Sequence, residues 1–587
     1  MARAITIRDQ RGVVGVRAQP APTRAPPWAG VRLAPAAISA EWRWVALVTL
    51  ATLVLIEIPY LLAYAQAARG MVFVSIWAPH DFGVYRAAMR EGAASSSWLI
   101  HDHLTAEPHD PAFMFWPYVA LGKLAGALGF DFQVAYHVAE IVARATLLVS
   151  IYLFCAAILT TLSRRRIAFV LITFSSGLSL LASALGVLPA DAGATPAELN
   201  WPEVSTFVVL FTAPHLMLGL AFLLLAARFY SACWSAPGLR QPAAAGFAVF
   251  ALGLTNSFSL PTVCAAVAAH LAALWLRARQ RPPSAALLGA GAVFLAAAPF
   301  LAYSLFVFGS DPLWSVVFGP QIARLSPPLP SLALGLGAVL ALALVGLPAF
   351  SWRPTPARLL VLVWIVVTLT LMYVPMNFQR RFAFGLHPML AIIAAAGLEP
   401  LWRWVRRPIG FPFWIMRPAL TFAVAQALFG SALILYLFSL REVSQPPGWI
   451  EGGVAGSLAQ PSSAAPGTFQ PMALKDAATW LATAMGPDDV ILAQTDTANY
   501  LAGFVSGRVF IGHWASTVDF LAKDRAMRRF YSGQGDEDAI KLLSTNSIRY
   551  VVYGPYERAL NPSWSPSGGY LQRVYANADV SVYEVTG

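Results

Sequence analysis

The chain has 587 residues, of which 58% are hydrophobic and only 12% are charged, and its formal net charge is +11. This composition excludes an ordinary soluble globular protein, in which about 25% of the residues are charged. The arginines stand between apolar segments rather than on one polar domain, so they indicate membrane orientation and no nucleic-acid partner is predicted. The three cysteines all lie in apolar segments, which suggests neither a disulfide framework nor a cysteine metal site.

Residues 1–43 are rich in Ala, Pro and Arg and are predicted to form a disordered cytoplasmic N-terminus. Residues 44–439 are predicted to form a membrane domain, because they hold repeated apolar stretches long enough to cross a bilayer core of about 30 Å. Eleven spans are predicted, at 44–66, 133–162, 167–188, 204–228, 243–256, 260–276, 285–308, 331–350, 358–376, 384–402 and 415–438.

Arginine clusters fall at alternate ends of these spans, which places the N-terminus in the cytoplasm. The loops 67–132, 189–203, 309–330 and 377–383 and the C-terminal tail then face the other side. Whether the number of spans is odd or even, and so on which side the C-terminal tail lies, depends on residues 243–276. As one helix they would be about 50 Å long, more than the bilayer needs. The polar turn Thr255–Pro261 is predicted to divide this stretch into two spans.

The outer loop 67–132 is predicted to include an amphipathic helix at 111–129, lying in the membrane interface. After a Pro/Gly/Ser-rich linker at 440–471, residues 472–587 alternate between short apolar strands and helices. This pattern predicts a small α/β domain with a partly parallel sheet, on the outer side of the membrane. Strands are predicted at 489–494, 509–513, 548–553, 571–575 and 580–585, and helices at 473–485, 498–506, 516–531 and 536–545.

The outer loop carries four of the nine histidines and several acidic residues. Asp81, which follows His80, is a candidate general base for an incoming hydroxyl group. The alternatives are a solvated loop aspartate or an N-cap for a helix at 83–91.

A second group in the same loop comprises His101, His103, Glu107 and His109. With His80, these residues are candidates for binding an acceptor. His101 and His103 should point to the same side of an extended segment and could share a divalent metal ion with Glu107 or Asp81, although the spacing matches no fixed metal signature. No cofactor is assigned beyond this metal option.

Arg380 and Arg381 break the charge pattern, since they lie at an outer end of a span, with His387 shortly after them. Guanidinium groups suit a phosphate or diphosphate headgroup, so the arginine pair is predicted to recognise a phosphate. The alternative for the arginines is snorkelling to membrane lipids.

Several other polar residues lie within spans or in the tail. Arg144 is a predicted partner of Glu140 at i,i+4. His215 is predicted to be a hydrogen-bond partner between helices rather than a ligand. Residues 512–514 (Gly-His-Trp) either bind sugar or form a buried aromatic corner, and the buried corner is favoured.

Four features occur together in this chain: one span, an outer loop opening with His80-Asp81, an interfacial helix that contains proline, and the later Arg380-Arg381. In this combination the chain resembles the GT-C superfamily of polytopic glycosyltransferases, in the manner of an uncharacterised bacterial member. The resemblance implies a helical membrane fold with an outer α/β domain, a polyprenyl-phosphate sugar donor and a glycan, lipid or protein acceptor. It also implies that Arg380, Arg381 and His387 bind the phosphate of the lipid donor. The chain departs from the family in having His-Asp where a pair of acidic residues is usual.

The sequence thus predicts an inverting glycosyltransferase in a bacterial inner membrane, with Asp81 as the base and the active site on the outer face. Two other classes stay open. A transporter or flippase for a lipid-linked sugar would be expected to show internal repeats and intramembrane charges near the midplane. A catalytically inactive scaffold could use the tail to recruit partners.

Overall fold

A computed structural model of the chain describes residues 35–67, 70–77, 79–187, 201–278, 281–317, 325–405, 413–444, 468–533, 535–566 and 569–586. Most of the predicted disordered N-terminus (1–34) and of the predicted linker (445–467) lies outside these residues. The first helix begins at Pro35, inside the segment predicted to be disordered.

The membrane part is built from helices, most of them long and apolar. In chain order they are α1 Pro35–Ala67, α2 Pro79–Ala94, α3 Trp116–Leu128, α4 Phe132–Ile158, α5 Leu162–Phe174, α6 Ser179–Ala184, α7 Thr206–Val209, α8 Pro214–Ala232, α9 Arg240–Asn256, α10 Leu260–Ala278, α11 Ser284–Ser310, α12 Pro312–Val317, α13 Leu329–Ser351, α14 Pro356–Leu371, α15 Leu386–Val405 and α16 Phe413–Ser444. Short 3₁₀ turns lie at 202–204, 257–259 and 379–383.

Eight stretches of the described residues are long and apolar enough to cross a membrane, and α14 is a shorter apolar helix. The predicted spans at 167–188 and 204–228 are each interrupted. Helix α5 stops at Phe174, before the sequence Ser-Ser-Gly, and the chain becomes helical again only at Ser179. Helix α8 begins at Pro214, because proline is tolerated in the first turn of a helix but not in its interior.

The predicted division of residues 243–276 is present, with a 3₁₀ turn at 257–259 between α9 and α10. Close contacts show that the chain reverses direction there. Gly246 lies against Ala292 and Gly253 against Phe300, so α9 and α11 run parallel to each other. For α9 and α11 to run in the same direction, the chain must return across the bundle between them, and α10 is the helix that returns.

An ion network ties α1 to α4 within the membrane part. Arg144 is fully buried, and its guanidinium lies 2.6 Å from a carboxylate oxygen of Glu57 and 3.5 Å from one of Glu140, as predicted for the i,i+4 pair. His137 contacts both carboxylates, at 2.9 and 3.1 Å. Because these residues pair with one another, the charges are neutralised inside the bundle and need no ligand.

The C-terminal domain has the predicted alternation of strands and helices. Its elements are β2 Phe469–Pro471, α17 Met472–Ala484, β3 Val490–Leu492, α18 Thr495–Ala502, β4 Arg508–Val509, α19 Phe520–Ser532, α20 Asp536–Thr545, β5 Ile548–Tyr553, α21 Pro555–Leu560, β6 Leu571–Ala576 and β7 Ser581–Val585. Five strands form one sheet in the order β4-β3-β5-β7-β6, in which β3 is parallel to both neighbours and the other pairs are antiparallel. The partly parallel sheet is therefore confirmed.

The outer loop and the C-terminal domain pack together at one end of the helical bundle. Strand β1, Met71–Phe73, pairs with β2 in an antiparallel ladder, and Thr105 forms a bridge with Ile511. The Lys523 ammonium lies 2.7 Å from a carboxylate oxygen of Glu107. The predicted placement of this loop and the tail on the same side is consistent with these contacts.

Glycines allow α2 to pack against its neighbours at backbone distance. A Cβ on Gly122 of α3 would lie 1.9 Å from the carbonyl oxygen of Met89, and a Cβ on Gly83 would lie 2.5 Å from that of Asn499 in α18. Helix α2 is thereby fixed between α3 and the C-terminal domain. The structure is helical through the membrane part and carries a small sheet domain, as the sequence predicts.

Candidate active site

Asp81 lies in the first turn of α2 and faces a histidine from the C-terminal domain. Helix α2 begins at Pro79, two residues earlier, so Asp81 is not its N-cap and that alternative is wrong. The Asp81 side chain is 44% exposed, although neighbouring elements surround it. Its Oδ1 lies 3.0 Å from Nε2 of His513, which is almost completely buried. A carboxylate that is both held and accessible is suited to accept a proton.

The hydrogen bonding of His513 determines which nitrogen faces Asp81. The backbone N–H of Ala515 donates to Nδ1 of His513 over 3.2 Å, so Nδ1 is an acceptor and the ring proton resides on Nε2. Burial raises the pKa of Asp81, but the surrounding histidines, His513 foremost with His80 and His215, together lower it by more, and the net pKa lies below the usual value. The lowered pKa keeps the Asp81 carboxylate ionised at neutral pH.

Helix α18 of the C-terminal domain contacts the start of α2, next to Asp81. The side-chain amide of Asn499 donates to the carbonyl oxygen of His80 over 2.9 Å, next to the close contact at Gly83. The His80 ring lies 3.8 Å from a carboxylate oxygen of Asp496. Burial lowers the pKa of His80 to about 3 and raises the pKa of Asp496 to about 8, so both groups are neutral at pH 7. His80 thus lies beside Asp81, as predicted, as an uncharged polar neighbour.

Aromatic residues form the next wall of the site. Tyr85, one turn after Asp81 on α2, stacks on Tyr118 of α3 with ring centroids 4.1 Å apart. The Tyr118 hydroxyl lies 2.6 Å from Nδ1 of His215, in the first turn of α8. The prediction that His215 bonds between helices is therefore confirmed for one of its two nitrogens.

The two arginines lie in the 3₁₀ turn at 379–383 and share one buried carboxylate. Arg380 Nε lies 3.6 Å and Arg381 Nη1 3.7 Å from the oxygens of Glu203, whose side chain is 1% exposed. These separations exceed the 2.7–2.9 Å typical of a charge-assisted hydrogen bond. Neither oxygen of Glu203 has a hydrogen-bond partner, and neither has Arg380 Nε. The pair is thus neutralised in part and keeps donors for an anion.

Tyr85 links the carboxylate and the arginines. Burial raises the pKa of Tyr85 well above its usual value, the Asp81 carboxylate raises it further and the Arg381 guanidinium lowers it. Both charges therefore act on the same hydroxyl from nearby. Asp81 and Arg381 thus both lie in the neighbourhood of Tyr85.

His387 occupies a different place from the one predicted. It is 1% exposed, and its ring nitrogens lie 3.1 Å from the Ser175 hydroxyl and 3.0 Å from the Thr206 hydroxyl. Both nitrogens are engaged, so in this structure His387 joins α5, α7 and α15 and offers no donor to a phosphate.

The remaining loop residues contact Glu91 and the C-terminal domain rather than Asp81. His101 and His103 do share a partner, but it is Glu91, at 3.0 Å from each. His103 Nδ1 lies 2.9 Å from the Gly507 carbonyl oxygen, and Glu107 pairs with Lys523. These contacts fasten the loop to the domain.

His109 braces the loop itself. Its Nε2 accepts from the backbone N–H of Asp102 over 2.7 Å, and its Nδ1 lies 2.9 Å from the Glu107 carbonyl oxygen.

Within the described ranges, no group of three or more His, Cys, Asp or Glu side chains is arranged to hold a metal ion. The residues around Asp81 do not fit a metal, since the ring nitrogen nearest to its carboxylate, Nε2 of His513, carries the ring proton and is not available as a ligand.

Sequence reasoning missed three contributors to the site, which are Glu203, Tyr118 and the contact between His513 and Asp81. Glu203 directly precedes a predicted span and could have been noticed as a carboxylate near the outer arginines. His513 was singled out, but its partner is 432 positions earlier in the chain, and no local pattern carries that information.

Replacing His513 with leucine should shift the acid limb of the pH profile of kcat/KM to higher pH. A general base acts only when ionised, and without the His513 N–H the effect of burial remains and raises the pKa of Asp81. The limb is measured with the purified enzyme in detergent or liposomes. His513→Gln keeps an N–H donor and should shift the acid limb less than His513→Leu does. If the acid limb has the same midpoint pH in the wild type and both variants, His513 does not affect the pKa of Asp81.

No protein-family model matches this chain, and no curated protein matches its sequence. Solved structures do match its fold. The crystal structure of the oligosaccharyltransferase from Archaeoglobus fulgidus has a TM-score of 0.52 and 13% sequence identity, and the match covers 87% of this chain and 69% of that chain. The arabinofuranosyltransferase AftD from Mycobacteria has a TM-score of 0.50 and 16% identity, over 95% of this chain and 42% of that chain.

A third structure, ArnT from Cupriavidus metallidurans bound to undecaprenyl phosphate, has a TM-score of 0.48 and 14% identity, over 91% of this chain and 97% of that chain. The two matches at higher scores cover the membrane helices and extend over most of the described chain. The apolar helices and the fold shared with the two structures at TM-scores of 0.52 and 0.50 agree with the resemblance found in the sequence. The chain has the fold of the GT-C membrane glycosyltransferases.

Proposed function

We propose that this chain is an inverting membrane glycosyltransferase that takes a sugar from a polyprenyl-phosphate donor. The observation that carries the proposal is an accessible carboxylate, Asp81, at the end of the bundle that also holds a partly neutralised arginine pair. A base and a cationic phosphate site are the two elements that transfer from a phosphate-linked sugar needs. The shared fold with two sugar transferases supports this class of reaction.

Asp81 is proposed to accept the proton of the acceptor hydroxyl. The acceptor oxygen then attacks the anomeric carbon from the face opposite the phosphate, which inverts the configuration. The bond between the anomeric carbon and the phosphate oxygen breaks, and its electron pair leaves with the phosphate. The products are the glycoside, protonated Asp81 and a lipid phosphate with one more negative charge.

Arg380 and Arg381 are proposed to bind the phosphate and to stabilise this additional charge. Their loose pairing with Glu203 leaves the N–H groups free to shorten their contacts onto phosphate oxygens. Glu203 would keep the arginines in place when no lipid is bound. Because the donor set around Asp81 does not fit a metal ion, no step of this mechanism passes through one.

The outer face is the proposed side for the reaction. Arginines such as those at 164–166 and Arg277 lie at the ends of helices away from the C-terminal domain, which favours a cytoplasmic N-terminus and an extracytoplasmic site. A bacterial inner membrane would satisfy this topology. A lipid donor also fits this side, because it presents its phosphate at the membrane surface. The acceptor, a glycan, lipid or protein, would approach Asp81 from the exposed side of its carboxylate.

The proposal is tested by incubating the purified protein in liposomes with radiolabelled polyprenyl-phosphate sugars and a panel of envelope glycans as acceptors. A glycosyltransferase should yield labelled product of inverted configuration and free polyprenyl phosphate. A flippase would move the lipid between leaflets and leave the sugar attached, and a scaffold would do neither.

Reporter fusions after residues 100, 280 and 587 should read outside, inside and outside. A cytoplasmic signal at 587 would refute the proposed side.

A further inference from the structure

A second histidine of the site, His215, has one ring nitrogen bonded to Tyr118. Its Nδ1 lies 2.6 Å from the Tyr118 hydroxyl, and its ring centroid lies 5.4 Å from that of Tyr85 in an edge-to-face arrangement. The side chain is partly exposed. Nε2 has no hydrogen-bond partner among the described residues and is not among their fully buried polar atoms.

The Tyr118 hydroxyl fixes which nitrogen of His215 carries the proton. The Tyr118 side chain is almost completely buried. Its hydroxyl hydrogen therefore needs an acceptor, and Nδ1 of His215 is the atom in reach. When Tyr118 donates to Nδ1, the ring proton of neutral His215 resides on Nε2.

His215 lies between the proposed base and the proposed phosphate site. Asp81 and Tyr85 are one turn apart on α2 and so project from the same side of the helix. Tyr85 contacts the His215 ring, and both the Asp81 carboxylate and the Arg381 guanidinium act on that ring electrostatically. The Nε2–H is thus placed where a sugar phosphate would reach from one charged group to the other.

We propose that His215 donates a hydrogen bond from Nε2 to the phosphate oxygen that leaves the sugar, and that Tyr118 holds the ring in the required tautomer. This inference rests on the proposed function. As the bond from the anomeric carbon to the phosphate oxygen breaks, the electron pair and one negative charge pass to that oxygen. A fixed donor directed at developing charge stabilises the transition state more than the bound donor lipid.

The test compares His215→Ala, His215→Gln and Tyr118→Phe in the liposome assay. His215→Ala should lower kcat about 10²-fold, the range for loss of one donor to a developing anion, with little change in KM. His215→Gln retains an N–H and should recover part of the rate. The kcat of Tyr118→Phe should lie between those of the two His215 variants, because without the Tyr118 hydroxyl the ring proton of His215 can also reside on Nδ1.

A binding measurement gives a second readout that is independent of turnover. Polyprenyl phosphate carries the additional charge of the leaving group, whereas the donor lipid does not. His215→Ala should therefore weaken binding of polyprenyl phosphate about tenfold and binding of the sugar donor much less. The matched control is Tyr230→Phe, which removes a similar tyrosine–histidine bond, to His270, elsewhere on α8; it should change neither kcat nor this preference.

The outcomes separate this inference from the proposed function. If the wild-type protein transfers sugar and His215→Ala matches it in kcat and in affinity for polyprenyl phosphate, His215 has no such role, while the glycosyltransferase proposal stands. If the wild-type protein transfers no sugar, the proposed function fails, and the affinities for polyprenyl phosphate still decide whether His215 binds the phosphate.

Discussion

Asp81→Asn should lower sugar transfer from a polyprenyl-phosphate donor by about 10²-fold or more, the range expected for loss of a general base. Asparagine has nearly the same shape and leaves an oxygen facing the His513 N–H, but it cannot accept the proton of the acceptor hydroxyl. The fall should appear in kcat, with the affinity for the donor lipid nearly unchanged, because the phosphate site is on the other side of the sugar. Initial rates in liposomes at saturating donor measure the effect.

Asp131→Asn is the matched control for this substitution. Asp131 also stands at the start of a helix, where its carboxylate caps α4 by accepting from the N–H groups of Gln133 and Val134. Asparagine caps about as well as aspartate, so this variant should fold and transfer sugar at the wild-type rate. If Asp81→Asn kept the wild-type rate, Asp81 would not be the base. Glu107 would be the next carboxylate to test, although Lys523 pairs with it here.

Arg381→Ala should lower kcat/KM by about 10- to 100-fold, which corresponds to the loss of one or two hydrogen bonds to a charged group at about 1.5–3 kcal/mol in total. Arg381 is the better single target, because its side chain is 32% exposed while that of Arg380 is 11% exposed. Glu203 keeps Arg380 as its partner, so the buried carboxylate is not left uncompensated. Arg381→Lys keeps the charge but loses the planar fork and should recover only part of the activity.

Arg358→Ala controls for a general effect of removing an arginine near the membrane. Arg358 lies in the first turn of α14, over the ring of Phe350, away from the site. It should leave kcat/KM unchanged. If Arg381 only snorkels to lipid headgroups, its alanine variant would resemble Arg358→Ala, and the affinity for polyprenyl phosphate would be the same in both variants.

Local patterns in the sequence predicted the elements of the fold well. The turn at Thr255–Pro261 ends α9, and the alternation in the tail gives the strands of the sheet, because proline, polar turns and apolar periodicity act within a few residues. The broken helices near Ser175 and Pro214 were harder to predict. Both segments are apolar enough to read as continuous spans, and the breaks are stabilised by contacts such as those of His387 with Ser175 and Thr206.

The site was predictable only in part, for a physical reason. Asp81 and the arginine pair could be found because charge at the edge of a membrane is costly and therefore conspicuous. Their neighbours could not be assigned, since His513, Glu203 and Tyr118 come close to them through tertiary packing. His101, His103, Glu107 and His109 show the opposite case: a dense polar cluster that the structure uses to dock the loop onto the domain.

The pairing of β1 with β2 has a consequence for how the protein matures. These strands are separated by almost 400 residues, and His513 is synthesised later still. At 5–20 residues per second, Asp81 would leave the ribosome roughly 20–90 s before its partner. On the proposed topology, the catalytic group waits at the far side of the membrane until translocation of the tail is finished. A nascent chain truncated before residue 469 would lack both β2 and His513, so β1 of the outer loop would have no strand to pair with.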